Sequence, residues 1–84
     1  MNKHEFNEAQ RLVTKLERVD SLLKYKTLYS INFFPVDKPE ERDYDPVEEQ
    51  IMWEKDLQAF IRNGIGSYRV YLIDRLAELG VKYE

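Results

Sequence analysis

Five apolar residues, Ala9, Leu12, Leu16, Val19 and Leu23, step along the chain by three, four, three and four positions. That spacing puts them on one stripe of a helix that packs lengthwise against another helix. Val13 and Leu22 flank the stripe, while Arg11, Lys15, Glu17, Arg18 and Asp20 fall on other faces. Asn2, followed three residues later by Glu5, is a capping pair. Lys24 and Lys26 suit the negative end of a helix dipole. The pattern predicts a helix over 3–24. Its seam is too short for a long coiled coil but requires a partner helix.

A chain of 84 residues, 43% hydrophobic, is expected to form a single small domain over 1–84. At this length it buries only about 60–65% of its unfolded surface, so a second copy or a partner would usefully complete the core. The absence of cysteine removes disulfides, zinc–thiolate sites and thiol nucleophiles. The longest stretch without a formal charge, Thr27 to Val36, is too short to span a membrane. Met1 to Glu5 shows no apolar leader. The expectation is a soluble, cytoplasmic protein with no membrane association. The net charge of −3 is unevenly spread. Met1–Phe34 carries +2, Pro35–Glu49 carries −5, and Gln50–Glu84 balances. The chain as a whole has no basic footprint for a nucleic-acid backbone.

From Tyr25 to Phe34, β-branched and aromatic residues alternate with Lys26, Leu28, Ser30 and Asn32. This predicts a strand over 26–34. An isolated strand cannot satisfy its own backbone groups, and the same segment of a second copy is the simplest partner. The competing reading extends the first helix to Phe34, where Pro35 would end it. Residues 35–45 read as a loop. Asp45-Pro46-Val47-Glu48 has the form of a helix start, with Asp as cap, Pro at the first helical position and Glu completing a capping box. The expectation is therefore a helix over 46–63 with Val47, Ile51, Trp53, Leu57, Phe60 and Ile61 on its inner arc. Asn63-Gly64 would stop it, and Ser67 would start another helix over 67–79, closed by Gly80 with Val81 folded back on Leu76. The alternative is one bent helix over 46–79. The fold class is mainly α with one minor β-strand: helix, strand, acidic loop, helix, helix, dimeric with the strand pairing between chains. Leu12, Leu16, Val19, Leu23, Tyr29, Ile31 and Phe33 are its expected packing and dimer residues.

Catalytic parts are scarce. His4 is the only histidine and sits at a helix start, where solvation is its ordinary state. Ser21, Ser30 and Ser67 have no histidine base nearby in sequence. Gly64-Ile65-Gly66-Ser67 could cradle a phosphate, yet it lacks both the third glycine of a dinucleotide fingerprint and the lysine of a nucleotide-binding loop. An inter-helix turn explains it more simply. Asp43-Tyr44-Asp45 runs into proline where a calcium loop needs glycine. No catalytic residue, cofactor or metal is expected.

Binding remains. Asp37, Glu40, Glu41, Asp43, Tyr44, Asp45, Glu48 and Glu49 form an acidic segment able to occupy a basic groove on another protein. The plainer account is a solvated loop plus the favourable negative start of a helix. Aromatic residues with arginines (Trp53, Tyr68, Arg69, Tyr71 and Arg75) could clamp a nucleotide, although Trp53 and Tyr68 fall on expected core stripes. A strand with polar Lys26, Ser30 and Asn32, followed by two helices and a Gly-x-Gly-Ser turn, resembles the ribbon-helix-helix repressors over residues 26–79. That resemblance implies a dimeric ribbon reading the major groove. An eleven-residue acidic loop, Leu28 on the reading face, an extra first helix and net negative charge depart from the family pattern. The balance favours a non-catalytic protein–protein interaction protein. It resembles in type the small acidic regulators and inhibitors of phages and mobile elements, homodimeric and occluding a host protein with a basic surface. A structural accessory subunit is the other non-catalytic reading.

Overall fold

The computed structural model describes residues 1–38, 40 and 45–83. Of the described residues 59% are helical, and among them are two helices and one two-stranded antiparallel sheet. Helix α1 spans Lys3–Leu23, strand β1 Ser30–Phe33, strand β2 Val47–Gln50 and helix α2 Lys55–Glu78. By compactness the chain divides into a helical unit, Met1–Lys26 with Phe60–Glu84, and a hairpin unit, Thr27–Ala59.

In the helical unit, α1 begins as its sequence dictates. The Glu5 N–H donates to Asn2 Oδ1 at 2.8 Å, and the Asn2 N–H donates to Glu5 Oε1 at 3.3 Å. Each side chain satisfies a backbone donor the helix leaves open. Ala9, Leu12, Leu16 and Val19 are buried against Leu72 and Leu76 of α2, and Leu16, Leu72 and Leu76 are almost completely enclosed. Each such leucine contributes about 1.5–3 kcal/mol through burial. Leu23 packs half-buried at the edge of this cluster. At the far end Gly80 takes φ 79°, and the Val81 N–H returns to the Leu76 carbonyl at 3.0 Å, the reversal expected for this glycine.

Two expectations fail. No helix starts at Asp45-Pro46: Val47–Gln50 is a strand, and the helix begins nine residues after Pro46, at Lys55. An N-cap is worth about 1 kcal/mol. Against it stands β1, whose backbone donors and acceptors need a partner. Val47 and Glu49 alternate toward Ile51, and pairing runs Ser30 with Gln50, Ile31 with Glu49, Asn32 with Glu48 and Phe33 with Val47. Local capping chemistry loses to a ladder. The predicted lone strand thus finds its partner within the chain and is shorter than 26–34.

Nor do Asn63-Gly64 and Ser67 separate two helices, since α2 runs through them without interruption. A Cβ on Gly64 or Gly66 would meet nothing within 4 Å, so neither glycine serves a close approach. Each costs the helix about 1 kcal/mol relative to alanine. Burial of Leu72 and Leu76, with Ile65 packed beside them, more than offsets that cost. The single-helix alternative is right across the glycines and wrong about where the helix starts.

Candidate protein-binding surface

The hairpin unit presents its apolar side chains rather than enclosing them. Among its described residues, Ile51 and Gln58 are the buried ones. Phe33 and Val47 face each other across the strands, each 53% exposed. Trp53, expected on an inner arc, is 82% exposed. The turn that carries it is closed by the Glu54 N–H donating to the Ile51 carbonyl at 2.9 Å. Around these residues lie carboxylates. Asp37, Glu40, Asp45, Glu48 and Glu49 are all exposed, and β2 is exposed along its whole length. Glu41, Asp43 and Tyr44 lie outside the described residues. From the sequence, the hairpin unit holds nine Asp/Glu against three Lys/Arg, a net −6. The helical unit holds ten Lys/Arg against seven Asp/Glu, a net +3.

One buried amide organises the hairpin. Gln58, 9% exposed, receives the Leu28 N–H on Oε1 at 3.2 Å. Its Nε2 donates to the carbonyls of Ile51 at 2.9 Å and Leu28 at 3.3 Å. It satisfies backbone groups that would otherwise be orphaned. Sequence reasoning missed this residue. The available signal was a glutamine one helical turn from Glu54 and Ile61 on the side that α2 turns inward, a signal visible only once the true helix start is known. Tyr29, expected to pack, is exposed, and its hydroxyl accepts from Gln50 Nε2 at 3.0 Å. Ile31 is half-buried.

In the helical unit Arg11, Arg62, Arg69 and Arg75 are already engaged. Arg69 Nε donates to Asp20 Oδ1 at 2.6 Å, with its guanidinium 5.9 Å from the Tyr83 ring centroid, and the Tyr83 hydroxyl donates to Asp20 Oδ2 at 2.8 Å. The Arg69 hydrogen bond, with the Tyr83 hydroxyl second, holds the Asp20 carboxyl below its ordinary value, and Asp20 in turn pushes the Tyr83 phenol up. Arg11 does the same to Glu8, which also lies 3.8 Å from Arg75. Arg62 donates to the carbonyls of Leu23 and Tyr25, capping the end of α1. Tyr68 and Tyr71 stack on each other at 6.1 Å, with Tyr68, expected in the core, 43% exposed. With Arg69 and Arg75 facing carboxylates, these residues form no anion clamp. Gly64 to Ser67 lie within a helix, so their N–H groups are not a free cradle.

Among the described residues no three His, Cys, Asp or Glu side chains gather as a metal site, and no helix is long and apolar enough to cross a membrane. Comparison with known proteins gives no match to a family model, to a curated protein or to a solved structure. The ribbon-helix-helix resemblance loses its element order, since one helix rather than two follows the strands.

Proposed function

We propose that this chain is a non-catalytic interaction protein of the small regulator or inhibitor type. In this reading it is a cytoplasmic homodimer that occludes a partner protein with a basic surface. The observation that supports this most is the Phe33–Val47 pair, half exposed on a strand hairpin beside Asp45 and Glu49, with Glu48 exposed on the other face. Apolar side chains left in water beside a single-sign charge field suit a partner that offers an apolar contact ringed by Lys and Arg. The charge steers the encounter, and burial of Phe33 and Val47 holds the complex.

The test is capture on the immobilised full chain, followed by titration of the captured, purified protein. The combined Asp45→Asn, Glu48→Gln, Glu49→Gln variant loses affinity by roughly tenfold or more, and the native affinity falls with added salt. Salt-independent binding unchanged in that variant would remove the reading.

A further inference from the structure

The outer edge of β1 is the surface on which the structure says most. The Ile51 N–H donates to the Tyr29 carbonyl at 2.9 Å, which sets the phase of the ladder. Antiparallel ladders alternate, so Ile31 and Phe33 also bond toward β2, while Ser30 and Asn32 turn their N–H and C=O groups away from it. Gln58 spans the end of the hairpin, its amide taking the N–H and the C=O of Leu28 together with the C=O of Ile51. Its hydrogen bonds reach neither Ser30 nor Asn32. Among the described residues, neither Ser30 nor Asn32 has a hydrogen-bond partner on that side.

We propose that a second copy of this chain pairs its β1 antiparallel with this edge, about a two-fold axis through Ile31, giving a four-stranded sheet β2-β1-β1-β2. The inference rests on the homodimer reading above and specifies how the copies meet. With that axis, Ser30 of each copy lies opposite Asn32 of the other. Both residues carry outward backbone groups, so the two pairs exchange four hydrogen bonds. Ile31 meets Ile31 as the close, non-bonded pair between them. On the same face Tyr29 of each copy lies opposite Phe33 of the other, and both side chains are now more than half exposed.

Charge selects this occupant over the alternatives. From Thr27 to Val36 the chain carries no formal charge, so β1 against β1 sets no like charges opposite each other. The other edge belongs to β2, where Glu48 and Glu49, with Asp45 just before them, would face a second acidic strand, the usual way an edge is kept from self-pairing. Pairing β1 with the partner's β2 instead would be head-to-tail, giving a ring or an open filament rather than a two-fold dimer. A two-stranded hairpin is only marginally stable alone, whereas a sheet of four strands is not.

The experiment uses the full chain, which has no cysteine of its own. Sedimentation equilibrium gives the mass, and mild oxidation is applied to Ile31→Cys and, separately, to Glu49→Cys. The expected result is a dimer in which Ile31→Cys cross-links nearly completely and Glu49→Cys, on the far strand, does not. Ser30→Pro deletes an outward N–H and leaves the internal ladder intact, so it weakens the dimer by roughly tenfold or more at unchanged helix content. A dimer in which Ile31→Cys fails to cross-link overturns the strand pairing and leaves the homodimer standing. A monomer at all concentrations overturns both.

Discussion

At the scale of single residues, two side chains carry more than their neighbours. Gln58 makes three hydrogen bonds to backbone from a buried position, so Gln58→Ala strands the Leu28 N–H and the Ile51 carbonyl. Loss of about 1–3 kcal/mol is expected, measured by urea denaturation. Asp20 joins α1 to the C-terminal segment through Arg69 and Tyr83. Because its folded value lies below the ordinary 3.8, its contribution is fully present above that range and is lost as the pH falls through and below it. Tyr83, raised above 10.0, contributes below that value and loses its contribution as the pH rises through the folded one. A pH series of urea midpoints for Asp20→Asn should therefore show a shallower acid limb than the native chain. An unchanged acid limb would mean that Asp20 carries none of it.

At the scale of elements, α2 holds the sharpest contrast among the glycines. Gly64 and Gly66 sit in open helix, so Gly64→Ala and Gly66→Ala should each raise stability by about 0.5–1 kcal/mol. Gly80 has positive φ, so Gly80→Ala should lower it by about 1 kcal/mol. Chemical denaturation of the three variants side by side measures the sign directly. The same element shows what the sequence conveys. The seam of α1, the Asn2–Glu5 cap and the Gly80 reversal were readable because each is decided within one or two turns of chain. Val47–Gln50 was not, because its local chemistry favours a helix start and only β1, some fifteen residues away, makes it a strand. Trp53 followed that error. On a helix starting at Pro46 it would have faced inward, whereas in the turn before α2 it faces water. The acidic residues of the candidate surface were legible as charge. Their setting beside Phe33 and Val47 depended on a pairing that periodicity does not reveal.

At the scale of the whole molecule, charge follows the division into units, −6 in the hairpin unit and +3 in the helical one. A basic partner should therefore bind with a dissociation constant that rises with sodium chloride, mainly through a slower on-rate. Charge reversal at Lys3 and Lys15 in the helical unit should leave that salt slope nearly unchanged. Stopped-flow association at several ionic strengths tests both statements. The one tryptophan of the chain stands on the hairpin unit, almost fully bathed in water. The protein thus carries its own optical reporter: an indole whose emission should move to the blue whenever something settles over it, with no dye attached.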